Sequence, residues 1–169
     1  MFSFIKKKLD VNSPIVGKYT ALEEIPDEAF SSGIMGKGFG VLPTENLVFS
    51  PIDGEVVMVF PTKHAIGIKR NDGLEMLIHI GIDTVNLKGQ GFKLLISNDQ
   101  KIKRGQPLVE FNKNFIEENG YNPIVIVVFT NSQEFDIDIN QSYSSIGKGD
   151  VIAYAKRKWF IYNYKGYKQ

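Results

Sequence analysis

The feature that most constrains this chain is its punctuation. Short runs rich in Val, Ile and Phe follow one another, many of them bounded on one side or the other by Gly or Pro before a helix of useful length could form. Sixteen glycines and seven prolines in 169 residues supply the breaks. Such runs bury their surface as β-strands, and the spacing predicts strands over Gly54–Phe60, His64–Arg70, Leu74–Ile80, Pro107–Phe111, Ile124–Phe129 and Asp150–Ala155. Helical signal is confined to a turn or two at Glu23–Phe30 and Gly91–Ile96. The expected fold is all-β: an antiparallel sandwich with barrel character, a duplicated hairpin motif and little helix.

The duplication lies in Ile102–Phe111 and Ser145–Tyr154, which both place a glycine-bearing turn just before a short apolar strand. Glycine suits such a turn because it reaches positive φ without a Cβ clash. A length of 169 residues accommodates one well-buried domain. That domain is expected over residues 14–158, with a flexible or amphipathic segment at 1–13 and an aromatic, basic tail at 159–169. Residues 1–10 combine lysines with apolar side chains in a pattern suited to weak contact with an anionic membrane surface.

Composition removes several functions. A formal charge of +1 gives no general attraction to nucleic acid. The absence of cysteine excludes disulfides, thiolate metal sites and a cysteine nucleophile, and suits a cytoplasmic setting. No apolar stretch is long enough for a membrane-spanning helix.

The chain has only two histidines, His64 and His79, and they fall in neighbouring predicted strands joined by Asn71-Asp72-Gly73. Alternation along Leu74–Ile80 puts Leu74, Met76, Ile78 and Ile80 on the core face and Glu75, Leu77 and His79 on the other. A two-residue Asp-Gly loop would pair Asn71 with Leu74 and His79 with Ile66, leaving His64 as the diagonal neighbour of His79. Ile66 and Ile68 then share the histidine face, as an apolar surround for a docking patch. Two imidazoles with no familiar zinc motif make a metal site a poor fit, and no serine elbow is present. A phosphoryl relay needs one imidazole as acceptor and further hydrogen-bond donors, which the second imidazole and the Thr62 hydroxyl could supply.

These residues resemble the glucose-type enzyme IIA domains of the bacterial phosphoenolpyruvate-dependent sugar phosphotransferase system. Gly73 through Val85 fits the family signature at every position, and Leu87–Phe92, Ile25-Pro-Asp with Phe30, Gly36 with Gly38, Ser50–Glu55 and Thr62 with His64-Ala65 follow in family order. The resemblance runs from about Pro14 to Ala155. It implies an antiparallel β-sandwich whose His79 accepts a phosphoryl group from phospho-HPr and passes it to an enzyme IIB domain of a sugar permease. It further implies that His64 supports transfer, Thr62 steadies the site, and Asp83 and Asp27 form an acidic rim for partners. Phe30, Ile34, Phe60, Leu77 and Val85 would make the apolar collar, with no metal or organic cofactor. An alternative role is a regulatory binding module that uses the same face on other target proteins.

Overall fold

The computed structural model describes residues 8–158. The lysine-rich opening through residue 7 and the tail at 159–169 lie outside the described residues. Fourteen strands are present among those described. They are β1 Leu9–Asn12, β2 Gly17–Ala21, β3 Lys37–Pro43, β4 Leu47–Phe49, β5 Gly54–Val59, β6 Ala65–Lys69, β7 Glu75–Ile80, β8 Phe92–Leu94, β9 Lys101–Ile102, β10 Pro107–Phe111, β11 Val125–Phe129, β12 Phe135–Ile139, β13 Ser145–Ile146 and β14 Val151–Arg157. Two short helices, α1 Glu28–Ser31 and α2 Lys113–Glu118, complete the set with three 3-10 turns.

All pairings are antiparallel. The largest sheet runs β13-β2-β3-β11-β7-β6-β5-β9, and two three-stranded sheets, β1-β14-β12 and β4-β10-β8, pack with it around the main core. β11 reads Val-Ile-Val-Val-Phe and is buried at every position. Its Val125, Val127 and Phe129 enter the main core, while Ile126 and Val128 join Leu22, Ile25, Phe30, Ile82 and Ile124 in a second cluster on the other side of the sheet. A run apolar on both faces belongs where both faces are covered. The chain from Leu22 to Ser31 provides that second cover, and burial of Phe30 alone contributes about 2 kcal/mol.

The two similar segments behave alike. β9 leads through Gly105 at φ 80° into β10, and β13 leads through Gly149 at φ 83° into β14.

Three expectations need correction. Gly91–Ile96 is not helical: Phe92–Leu94 pairs with β10 as β8, and the nearby helix is α2 instead, started by the Asn112 side chain accepting from the Phe115 N–H at 2.9 Å. The ordered domain begins earlier than Pro14, because Leu9–Asn12 pairs with β14. The β6–β7 register is one residue off the expected one. Ala65, not Ile66, lies opposite His79, and Ile66 opposite Ile78. The Arg70 N–H donates to Leu74 at 2.8 Å and the Gly73 N–H to Arg70 at 2.8 Å, so the loop is the three residues Asn71–Gly73, with Gly73 at φ 93°. A one-residue shift turns β6 over. Ile66 and Ile68 therefore enter the core, each fully buried, and do not surround the histidines.

Candidate functional site

β7 alternates as its sequence requires. Leu74, Met76, Ile78 and Ile80 are buried, and Glu75, Leu77 and His79 look to the other face. Directly after Ile80 the chain turns at Gly81, whose φ of 78° suits glycine. A Cβ there would collide with Thr84. The buried Thr84 hydroxyl donates to the Ile80 carbonyl at 2.5 Å and the Gly81 N–H to the Ile124 carbonyl at 2.8 Å, which holds the turn against β11. Gly81 and Thr84 stand in the signature segment, yet sequence reasoning gave neither a role. Their role is to stop β7 one residue beyond His79 and to aim the Gly81 carbonyl at that ring.

His64 reaches the site from outside the pleat. In the observed register it faces Ile80, so a regular strand would send it into the core. β6 begins only at Ala65, however, and Lys63 just before His64 adopts φ 61°. Released from the alternation, the His64 ring packs edge-on against His79 with centroids 4.8 Å apart and planes at 84°. Thr62 Oγ1 and His64 Nδ1 are 2.7 Å apart. When that hydroxyl donates, the His64 proton sits on Nε2, ready to donate to an incoming acceptor.

Two phenylalanines wall the pair. The Phe30 ring lies 5.0 Å from His79 and the Phe60 ring 5.6 Å from His64, both edge-on. Phe30 is only 5% exposed, so it supports His79 from beneath rather than presenting a rim to a partner. Of the residues expected to form the collar, Ile34 is 85% exposed and Val85 48% exposed, with Leu77 and Phe60 half-buried. Asp83 is exposed at φ 58°, beside Val85. Asp27 is half-buried and starts α1 by accepting from the Ala29 N–H at 2.9 Å. Sequence reasoning missed the floor under these groups, Ile82, Ile124, Ile126 and Val128, although the continuous apolar run of β11 is its sequence signal.

Burial pushes the His79 imidazole down to about 4, aided by the neighbouring His64, while the Gly81 carbonyl and the Asp27 carboxylate favour its protonated form less strongly. Burial likewise lowers His64. Both rings are therefore neutral near pH 7. His79 Nδ1 is buried and has no hydrogen-bond partner among the described residues. A proton held there leaves the lone pair on Nε2, which makes no hydrogen bond among the described residues and keeps solvent access. With those tautomers the arrangement can offer an unprotonated ring nitrogen as nucleophile and the second imidazole as hydrogen-bond donor. Among the described residues no group of three or more His, Asp or Glu side chains is arranged to hold a metal ion.

Comparison with known proteins points the same way. Residues 9–135 match the family model described as phosphoenolpyruvate-dependent sugar phosphotransferase system, EIIA 1. A glucose-specific EIIA component of Staphylococcus aureus is 47% identical over 130 residues, covering 77% of this chain and 78% of the relative. That of Staphylococcus epidermidis is 42% identical over 147 residues, covering 87% and 89%. The solved structure of glucose permease IIA from Mycoplasma capricolum superposes with a TM-score of 0.82 at 34% identity, over 90% of this chain and 99% of that one.

Proposed function

The chain belongs to the EIIA 1 family of the phosphoenolpyruvate-dependent sugar phosphotransferase system and is a phosphocarrier of that system, in which we propose that His79 Nε2 carries the phosphoryl group. The observation behind this reading is the neutral, edge-stacked His64–His79 pair, whose 4.8 Å contact leaves His79 Nε2 open to an incoming phosphorus.

HPr and the EIIB domain of a sugar permease are the donor and acceptor of the family. The donor's N–P bond breaks as the Nε2 lone pair forms the new one, and His79 Nδ1 keeps its proton near the Gly81 carbonyl. His64 Nε2–H donates to a phosphoryl oxygen, with Thr62 setting its tautomer. Exchange between two phosphohistidines is close to balanced, so the protein's task is alignment and exclusion of water. The collar of Ile34, Phe60, Leu77 and Val85 suits that task, with Asp83 and Asp27 as acidic contacts for basic groups on the partners.

Within this reading the transported sugar is glucose, as in the names of the relatives. The working site is the cytoplasm. The unphosphorylated face offers regulatory target proteins the same apolar surface, and residues 1–10 add weak contact with the membrane. No helix among the described residues is long and apolar enough to cross a membrane.

The test is incubation with phosphoenolpyruvate, enzyme I and HPr, followed by intact-mass measurement and site mapping. One acid-labile phosphoryl group on His79 is expected, and none in His79→Ala. Undiminished labelling of His79→Ala would move the acceptor elsewhere.

A further inference from the structure

We propose that Lys63 is a positioning residue of the relay: its left-handed backbone, and not its side chain, seats His64 against His79 for onward transfer. The inference rests on His79 being the acceptor.

The backbone around Lys63 is pinned on both sides. Its N–H donates to the Phe60 carbonyl at 2.8 Å, and the Phe60 N–H donates across the turn to the Ala65 carbonyl at 3.0 Å. One residue on, the His64 carbonyl accepts from the Ile80 N–H at 2.7 Å and is thereby tied to β7. Between these anchors only Lys63 takes a positive φ, 61°. The change of direction at that one residue lets the His64 ring leave the pleat. It then meets Thr62 Oγ1 at 2.7 Å and lies 4.8 Å from His79, centroid to centroid. An extended residue at 63 would continue the alternation of β6 and send His64 toward the core beside Ile66 and Ile68.

Residue types differ in how readily they accept this backbone. Glycine enters positive φ freely, an unbranched side chain does so at a cost, and a side chain branched at Cβ resists it most. The identity of residue 63 therefore sets the share of molecules in which His64 is in place to donate to a phosphoryl oxygen. The Lys63 stem also passes Gly89, so a role for the side chain is the competing explanation. The two explanations separate by substitution, because backbone preference and side-chain charge can be changed independently.

The experiment compares Lys63→Gly, Lys63→Ala and Lys63→Val, which all remove the ammonium group and differ in their tolerance of positive φ. Each is labelled with phospho-HPr, mapped, and discharged to EIIB in single-turnover assays, and the contact between the two rings is read as an NMR cross-peak. Lys63→Gly and Lys63→Ala should keep the cross-peak and discharge at the wild-type rate. Lys63→Val should still be labelled on His79, but should discharge roughly three- to tenfold more slowly with a weakened cross-peak, as fewer molecules hold His64 in place. Equal slowing in all three variants would assign the effect to the side chain and overturn the inference. Unslowed discharge in a folded Lys63→Val overturns it as well. Should Lys63→Val fail to fold in urea titration, Lys63→Gly still decides: a lost cross-peak or slower discharge there overturns the inference, and retention of both supports it. Wild-type label mapped away from His79 would sink the acceptor assignment and this inference with it, whereas label on His79 with discharge indifferent to residue 63 overturns the role of Lys63 alone.

Discussion

The two ends of the β6–β7 hairpin are built on opposite plans. At the loop end polar groups are almost fully paired. Arg70 donates to both Asp72 oxygens at 2.8 and 2.9 Å and to the Ala155 carbonyl at 3.0 Å. Arg157 donates to the Asp72 carbonyl at 2.8 Å, and the Asn131 side chain bridges the Gly73 carbonyl and the Glu75 N–H at 2.9 Å each. Only Arg70 Nη1 is left over there. At the histidine end a single side-chain hydrogen bond, Thr62 to His64, serves two buried or half-buried imidazoles. A buried polar group without a partner costs stability, so folding alone would not select the second arrangement. The loop end is a clasp that ties this hairpin to β14; the other end leaves both His79 ring nitrogens without a hydrogen bond among the described residues.

Breaking the clasp should cost the most stability. Arg70 is 6% exposed, and Asp72→Ala strands its charge, which should lower unfolding free energy by about 3 kcal/mol in urea titration. Labelling of His79 in the folded fraction should persist; its loss at full folding would merge the two ends into one functional unit. At the other end, His64→Gln should leave the fold intact and still accept phosphate. Its onward transfer to EIIB should fall by about tenfold or more in single-turnover assays, since one oriented donor to the phosphoryl oxygens is lost. Unimpaired discharge would reduce His64 to packing.

The smallest effect separates the ends by pH. His79 stays neutral down to about 4, so the labelling rate should be nearly level from pH 8 to 5, with its ring titrating near 4 by NMR. A ring titrating near 6.5 would contradict its burial. Because the unfolded chain binds a proton at His79 that the folded one refuses, stability should fall as pH drops from 7 toward 5. Asp72 enters only lower. Burial raises its carboxyl, but Arg70 and the Leu74 N–H outweigh that and hold it below 3.8. Its contribution is present above 3.8 and is lost as pH falls through the depressed value.

Much of the site was legible because β7 carries local signals. The alternation from Leu74 to Ile80 set the outward face of His79, and the burial pattern agrees residue by residue. The meeting of His64 with His79 was also expected, but from a register that does not occur. The agreement comes instead from Lys63 at φ 61°, which frees His64 from the pleat. Phe30 read as collar and is floor, because α1 folds it inward over Ile126.

The β character, the core face of β7 and the family were all written in adjacent residues or in a co-linear motif. Register was not, for Asp72-Gly73 serves a two-residue loop or a three-residue one equally well. That choice fell to partners at Asn131, Ala155 and Arg157, and to the burial of Ile66 and Ile68, which only the folded chain brings to the hairpin. Pairing of this kind is settled by energy shared between residues far apart in the chain, and so it is decided only in the tertiary structure.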